Sequence, residues 1–339
     1  MRAARRGGDL AAEGAAFNGL GVIAWRQGHN ERAASLLQQA LALFRQAHDQ
    51  SGEARTLGSL GLVDLVRGRS GQAADHFRQA AAMFHQTGDR SGEARALGNL
   101  GVAERRQGRY QQAGDLFAQA LMLSRQTGDR TGEGYSLARL GGIESDKGHS
   151  IHAIGRLQQA IAIFQQTGDR PGEGYALAKL GVAEQRRGQY QQAVECHQQA
   201  LTLFRDTGER AGEAEALNGL GEALQATGRA REARTRYTAA LQLASEVGDR
   251  LEQARAHNGL AHLSRTAGDL DLACRHWRRA LLLYTSLGAP EADQVRSHLV
   301  QGGQSPPPQG HRGDGPGAAV PAMEPVQTGL RLASPPPVL

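Results

Sequence analysis

The chain has 339 residues, of which 40% are hydrophobic but only 4% aromatic, so a core must be built mainly from small aliphatic side chains. Such side chains suit closely packed helices better than a large enclosed globule. The formal net charge is +5, but Arg2, Arg5 and Arg6 supply three of these charges, so no clustered basic footprint remains and specific nucleic-acid binding is not expected.

Cysteine content and hydropathy indicate the compartment. Cys196 and Cys274 are the only cysteines and lie on separate predicted helices, which argues against a disulfide and fits a reducing environment. No apolar stretch reaches the ~18 residues of a membrane-spanning helix, and the N-terminus lacks the apolar region of a signal peptide. These features predict a cytoplasmic protein without membrane insertion.

The chain divides into four segments. Residues 1–8 form a short basic stub, and residues 9–288 repeat a forty-residue unit seven times. Residues 289–301 can form one further helix that caps the array, and the Pro- and Gly-rich residues 302–339 are predicted to be disordered. Stacked repeats need capped ends, yet the first repeat starts almost at once. We therefore expect this end to contact another chain or domain, or the sequence to be the C-terminal part of a longer protein; we prefer the second.

The repeat is defined by residues that recur in register. A leucine stands at residues 20, 60, 100, 140, 180, 220 and 260, and glycine follows it in six of the seven copies. A second glycine follows eight residues after the leucine, and alanines follow thirteen and twenty residues after it. Apolar residues at spacings of three and four predict two amphipathic helices in each copy.

Glycine and aspartate mark the limits of these helices in the third copy. Gly88 and Gly108 fall just past predicted helix ends, where a left-handed cap conformation favours glycine. Asp89 is the predicted N-cap of the next helix. Gly101 lies inside a helix, where glycine costs about 1 kcal/mol relative to alanine. We expect Gly101 to face Ala113 and Ala120 and to let the two helix axes approach closely.

No residue pattern indicates catalysis or metal binding. Gly19 and Gly21 share a spacing with phosphate loops, but they recur as packing glycines inside a helix. His149 and His152 are three residues apart, but no cysteine or carboxylate stands beside them at ligand spacing. We predict no catalytic residue, no metal, no cofactor and no enzymatic activity.

The shared residues resemble the tetratricopeptide repeat. The order of leucine-glycine, glycine, aromatic, alanine, aromatic and alanine stands here as Leu100, Gly101, Gly108, Tyr110, Ala113, Phe117 and Ala120. The period exceeds the usual ~34 residues and is similar to the long-helix subtype of cell-polarity adaptors, kinesin light chains and bacterial signalling regulators. His197 departs from the later aromatic or leucine of the pattern. The resemblance implies an all-α, right-handed α-solenoid superhelix of seven helix-turn-helix repeats plus a C-terminal capping helix.

The resemblance also implies a binding surface, because the first helix of each repeat lines a concave groove in this family, where partner peptides lie. The inferred partner-binding groove residues are Arg55, Arg95, Asn99, Arg105, Arg106, Tyr135, Arg139, Tyr175, Lys179 and Arg186, with further inward positions at Leu62, Val102, Asp146, Val182, Glu215, Asn218, Glu222, Arg255, Asn258 and Arg265. The middle of this groove is basic with two tyrosines, and its far end is mixed. A protein or peptide with acidic groups or a C-terminal carboxylate would suit it.

The resulting hypothesis is a non-catalytic scaffold that binds a protein or peptide in bacterial signalling or transcriptional regulation. The Arg-, Ala- and Gly-rich long repeats also resemble C-terminal sensor arrays of actinobacterial regulators. The alternative is therefore a peptide-signal receptor module of a larger regulator, a transcription factor or STAND-type ATPase, whose effector domain is absent from this sequence.

Overall fold

The computed structural model describes residues 9–301, which form fifteen α-helices and no strand. In chain order the helices are α1 (Leu10–Arg26), α2 (Asn30–Gln46), α3 (Gln50–Val66), α4 (Ser70–Thr87), α5 (Arg90–Arg106), α6 (Tyr110–Thr127), α7 (Arg130–Asp146), α8 (Ser150–Thr167), α9 (Arg170–Arg186), α10 (Tyr190–Thr207), α11 (Arg210–Ala226), α12 (Ala230–Val247), α13 (Arg250–Thr266), α14 (Leu270–Leu287) and α15 (Glu291–Gln301). The first fourteen helices form seven hairpins, and each hairpin packs on the next. The predicted stub at 1–8 and the predicted tail at 302–339 lie outside the described residues.

Aspartate caps the first helix of most hairpins. The Asp89 carboxylate accepts a hydrogen bond from the Gly92 N–H at 2.8 Å, which satisfies one of the donors that a helix start leaves without a partner. Asp9, Asp49, Asp129, Asp169 and Asp249 cap their helices in the same manner. Glu209 replaces aspartate at the start of α11 and makes no side-chain cap.

The second helix of six hairpins ends in a left-handed residue, and that residue is glycine. Gly88 has φ = 73° and Gly128 has φ = 71°. His48 holds the equivalent position after α2 with φ = 54°, the one non-glycine residue with positive φ among residues 9–301. A side chain with a Cβ is disfavoured there, because the left-handed conformation brings the Cβ close to the next carbonyl oxygen.

Replacing His48 with glycine is therefore expected to stabilise the protein. Left-handed backbone costs an L-residue roughly 1–2 kcal/mol, and the greater freedom of glycine in the unfolded chain takes back part of this gain. We expect the free energy of unfolding, measured by urea denaturation, to rise by about 0.5–1 kcal/mol. His152 lies exposed inside α8 in ordinary helical backbone, so His152→Gly should give no such rise. Equal changes in the free energy of unfolding of the two variants would contradict backbone strain at His48.

Each hairpin is centred on one buried side chain of the second helix. In chain order these are Leu37, Phe77, Phe117, Leu157, His197, Tyr237 and Trp277. A Cβ built on Gly101 would lie 2.5 Å from Cε1 of Phe117, so glycine at this position lets α5 lie directly against the ring. The three atoms nearest to that Cβ position all belong to Phe117, whereas the repeat pattern predicts contact with Ala113 and Ala120. Gly101 contacts the Phe117 ring and not the two alanines, because the ring fills the space between the two helices.

The superhelix curves until its first hairpins meet its last. The turn after α1 lies against the turn after α12, where a Cβ on Gly28 would be 3.7 Å from the carbonyl oxygen of Glu246. The turn after α3 similarly lies against the end of α14, where Gly68 faces the side chain of Leu287. The first and second hairpins thus contact the sixth and seventh, and the concave side of this superhelical turn surrounds a half-open space.

Candidate functional site

The half-open space is a cavity of about 1080 Å³. Its wall comes mainly from α5, α7, α9, α11 and α13, the first helices of the third to seventh hairpins. The end of α3, the start of α4 and the segment from Leu287 to Glu291 complete it. Ligand sites in proteins are commonly concave and partly pre-formed, so this cavity is the candidate functional site.

Most of the inferred groove residues lie on this wall, but three do not. Those on the wall are Arg105, Arg106, Tyr135, Arg139, Tyr175, Lys179 and Arg186. Arg55 and Arg95 are exposed outside it, because the first helices of the second and third hairpins, α3 and α5, reach the cavity only through their C-terminal ends. Asn99 lies behind the wall and contacts Arg139.

Asp146, at the end of α7, holds two of the arginines. Arg105 Nε lies 2.8 Å from one carboxylate oxygen, and a terminal nitrogen of Arg186 lies 2.9 Å from the other. Burial disfavours the charge of Arg105, but the Asp146 carboxylate outweighs this effect and raises the pKa of the guanidinium. One carboxylate thus serves two cations, and this group retains a net positive charge.

Arg106 makes a structural hydrogen bond between two hairpins. Its guanidinium donates a hydrogen bond of 2.7 Å to the carbonyl oxygen of Leu65 in the last turn of α3. That carbonyl belongs to the end of a helix, where oxygens lack partners within the helix and attract cations. Arg106 therefore links the second and third hairpins, although part of it reaches the cavity wall.

Arg139 has no carboxylate partner among residues 9–301. Its guanidinium donates to the Asn99 side-chain oxygen at 3.1 Å and lies 5.9 Å from the ring centres of both Phe117 and Tyr135. Gly98 makes room for it, because a Cβ there would collide with a terminal nitrogen of Arg139. Burial lowers the pKa of Arg139. The arrangement is a half-buried cation that faces the cavity beside aromatic rings.

Two tyrosines flank this arginine on successive hairpins. The ring centres of Tyr135 and Tyr175 lie 6.1 Å apart, and Tyr135 packs edge-on against Phe164 at 4.9 Å. Burial, reinforced by the nearby Asp169 carboxylate, raises the pKa of the Tyr135 hydroxyl. The rings give the wall a rigid surface with polar hydroxyl groups.

Lys179 and Glu215 join the two sides of the cavity. Their charged atoms lie 2.5 Å apart, and the ammonium of Lys179 lies 5.2 Å from the ring centre of Tyr175. Burial alone would raise the pKa of Glu215, but the charge and hydrogen bond of Lys179 lower it to about 2. The two groups therefore neutralise each other within the wall.

Carboxylates predominate beyond this pair. Arg255 lies 2.9 Å from Glu222 and 3.1 Å from Glu252, so one guanidinium serves two acids. Burial raises the pKa of Glu252, and the Arg255 charge opposes the shift. The buried amide of Asn218 donates to the Glu252 carboxylate at 2.9 Å. Asn218 thus lies behind the wall and not on it, where the groove pattern predicts it.

The wall therefore has two halves of opposite charge. The basic half comprises Arg105, Arg106, Arg139, Lys179 and Arg186 together with Asp146. The acidic half comprises Glu209, Glu215, Glu222, Asp249, Glu252 and Glu291 together with Arg255. The sequence predicts a basic middle and a mixed far end, with Glu215 and Glu222 among the inward positions, but not Glu209, Asp249, Glu252 or Glu291. The signal for the acidic half was the replacement of Tyr175 and Val182 by Glu215 and Glu222 in the next copy, together with Glu252 where the preceding copy holds glycine.

The repeat signature matches a known family along most of the array. The tetratricopeptide-repeat family model matches residues 12–86, 92–166 and 173–246. The chain belongs to the tetratricopeptide-repeat family. A comparison with proteins of curated function finds no match.

Several solved tetratricopeptide-like structures share this fold. A Rap conjugation gene regulator of the plasmid pLS20, in complex with the Phr* peptide, aligns with a TM-score of 0.66 and 14% identity over 82% of this chain and 73% of its own. The apo form of RapI aligns with a TM-score of 0.61 and 13% identity over 81% of this chain and 98% of its own. A Rap protein complexed with Competence and Sporulation Factor aligns with a TM-score of 0.58 and 14% identity over 86% of this chain and 98% of its own. These similarities confirm the predicted all-α, right-handed α-solenoid.

Two further properties of the tetratricopeptide-repeat array concern membranes and metals. None of the helices between residues 9 and 301 combines the length and the hydropathy needed to cross a membrane. Within the same part of the chain, no three His, Cys, Asp or Glu side chains are grouped as a metal ion would require.

Proposed function

We propose that this tetratricopeptide-repeat array is a scaffold that binds a peptide segment inside its cavity. The observation that carries the proposal is Arg139, a half-buried cation on the cavity wall with no carboxylate partner among the described residues. Removing part of the hydration of a charge without providing a counter-charge is costly. An incoming carboxylate would relieve that cost and gain a charge-assisted hydrogen bond.

The surroundings of Arg139 favour a peptide over other ligands. A cavity of about 1080 Å³ accommodates an extended segment but no folded domain. Tyr135 and Tyr175 offer ring faces and hydroxyl groups at low entropic cost, as is common in peptide-binding surfaces. The acidic partner expected from the sequence would thus place a carboxylate on Arg139. The Phr* peptide bound in the structure of the pLS20 Rap regulator supports this type of ligand.

The regulatory setting is part of the same proposal. We place the array in bacterial signalling or transcriptional regulation, as the likeness to a Rap conjugation gene regulator supports. We place it in the cytoplasm because Cys196 and Cys274 are both free, which fits a reducing environment. A second candidate is a receptor module of a larger regulator, because Leu20 and Ile23 on α1 are 40% and 53% exposed and offer an apolar contact surface to another domain. A photo-crosslinking residue in place of Ile23, used in the native cell, would test this contact; its failure to crosslink would count against the second candidate.

The binding proposal predicts a specific loss in the Arg139→Gln variant. We expect pooled synthetic hexapeptides with glutamate side chains to bind the wild-type protein. We expect Arg139→Gln to weaken that binding roughly tenfold or more, because a hydrogen bond to a charged group contributes about 1.5–3 kcal/mol. Isothermal titration calorimetry measures the change. Arg229→Gln is the matched control, because Arg229 is exposed, pairs with Glu232 and lies off the wall.

The location of the bound peptide is tested separately. A photo-crosslinking residue at Val182, on the cavity wall, should capture the peptide, whereas the same residue at Met122, exposed outside the cavity, should not. Capture at both positions, or equal binding by the wild-type protein and Arg139→Gln, would rule out the cavity as the site.

A further inference from the structure

The ligand chemistry follows from how the charges are arranged along the cavity. The basic half holds five cations and one carboxylate, and the acidic half holds six carboxylates and one guanidinium. The two halves belong to successive hairpins, so the charge changes sign along the superhelix and not between its inner and outer faces. A ligand that extends along the cavity therefore meets positive potential at one end and negative potential at the other.

Internal pairing leaves these charges only partly neutralised. In the basic half, Asp146 is shared by Arg105 and Arg186, and Arg139 has no carboxylate partner among the described residues. In the acidic half, Arg255 is shared by Glu222 and Glu252. Internal salt bridges therefore do not neutralise either half. The basic half keeps a net positive charge and the acidic half a net negative charge.

Asn218 positions the Glu252 carboxylate from behind the acidic half. The Asn218 side chain is fully buried and does not line the cavity, and its nitrogen donates to the Glu252 carboxylate at 2.9 Å. Glu252 is therefore held at the wall by both Asn218 and Arg255.

The boundary between the halves is neutral. Lys179 and Glu215 face each other there at 2.5 Å, with the ring of Tyr175 beside them. A ligand that carries charges only at its ends would place its uncharged middle against this boundary. Lys179 and Glu215 would then remain paired with each other.

We infer that the cavity takes a dipolar peptide, with a carboxylate on Arg139 and a cationic side chain or amino group against Glu222 and Glu252. This inference rests on the proposed function and narrows its ligand class. A uniformly acidic peptide that fills the cavity would place negative charge against the excess carboxylates of the acidic half, and a uniformly basic one would place positive charge against Arg139. Both arrangements are disfavoured by like-charge repulsion at low dielectric.

The test uses four pools of synthetic hexapeptides with blocked termini, so that only side chains carry charge. One pool has glutamates at one end and lysines at the other, one has glutamates only, one has lysines only, and one is uncharged. Calorimetric titration of the whole protein should show that the dipolar pool binds about tenfold more tightly than the glutamate pool, the effect of one charged hydrogen bond.

Variants separate the two ends. Glu222→Gln should weaken binding of the dipolar pool about tenfold and should not weaken binding of the glutamate pool. Arg139→Gln should weaken both. Glu232→Gln and Arg229→Gln, which alter an exposed pair off the wall, should change neither.

The outcomes distinguish this inference from the proposed function. If the glutamate pool binds as tightly as the dipolar pool and Glu222→Gln leaves both unchanged, the dipolar ligand is wrong while peptide binding stands. Tighter binding of the lysine pool than of the dipolar pool would also overturn the inference. If no pool binds the wild-type protein, both proposals fall.

Discussion

The Gly101→Leu variant is expected to lose about 2 kcal/mol of unfolding free energy, with a lower melting temperature. A Cβ on Gly101 would lie 2.5 Å from Cε1 and 2.8 Å from Cδ1 of Phe117, and leucine adds three more carbons beyond it. Phe117 is 1% exposed and cannot swing towards solvent. Overpacking of a dense core costs about 1–3 kcal/mol, which exceeds the helix-propensity gain of under 1 kcal/mol.

Gly58 provides the matched control. It lies inside α3 just as Gly101 lies inside α5, but a Cβ there would meet no atom within 4 Å. Gly58→Ala should therefore raise the free energy of unfolding by about 1 kcal/mol, the propensity gain alone, whereas Gly101→Ala should lower it. Urea denaturation followed by circular dichroism gives both values. Stabilisation by both substitutions would disprove the close approach of α5 to the Phe117 ring.

The repeat pattern predicted the helices because most copies use the same residues to begin and end them. Asp89 is at a helix start because an aspartate side chain accepts from the N–H groups of the first turn. Gly88 is at a helix end because the chain needs left-handed backbone there. Such requirements depend on neighbours within a few residues, and a sequence displays them directly.

Contacts between hairpins were harder to predict, although they too follow the period. The Arg186–Asp146 pair spans 40 residues, Arg105–Asp146 spans 41 and Lys179–Glu215 spans 36. These spacings place the partners at similar positions of successive copies. An alignment of neighbouring copies would reveal these opposite charges at matching positions. The inward positions of one copy taken alone do not reveal the partner in the next copy. The sequence predicts a basic groove, and the structure adds that Arg105, Lys179 and Arg186 have carboxylate partners there.

The cavity itself could not be inferred from any single copy. Its closure depends on small rotations that add up over several hairpins until Gly68 meets Leu287. Arg55 and Arg95 occupy the same repeat position as Tyr135 and Tyr175, yet only the tyrosines reach the wall. Curvature is a property of the whole array, so repeat position alone does not tell which copies surround the half-open space.

Replacing His197 with phenylalanine is expected to stabilise the protein by about 1–3 kcal/mol, the penalty of a buried polar group without a partner. His197 is 1% exposed, and neither ring nitrogen has a hydrogen-bond partner among the described residues. Its ring lies between Gly181 and Gly219 in the fifth and sixth hairpins. Tyr237 occupies the equivalent space between Gly221 and Gly259, so a phenyl ring fits this site.

The stabilisation by His197→Phe should increase as the pH falls. Burial lowers the pKa of His197 from its ordinary 6.5 to about 3. Below about pH 6.5 the unfolded chain binds a proton that the folded chain does not, so this histidine destabilises the wild-type fold progressively until about pH 3. Phenylalanine binds no proton in either state. The difference in unfolding free energy between His197→Phe and wild type should therefore be smallest above pH 6.5 and widen by up to about 1.4 kcal/mol per pH unit below it.

The His197→Gln variant separates the two causes. Glutamine keeps a buried polar group but does not titrate, so it should remove the pH-dependent part of the difference without the stabilisation seen at neutral pH. Urea denaturation at several pH values measures all three proteins. His197 lies behind Lys179, Glu215 and Arg255 and not on the cavity wall, so peptide binding should persist in His197→Phe. If His197→Phe is no more stable than wild type at any pH, the imidazole nitrogens must be satisfied in the folded protein, and His197 is not the weak point of the fifth repeat.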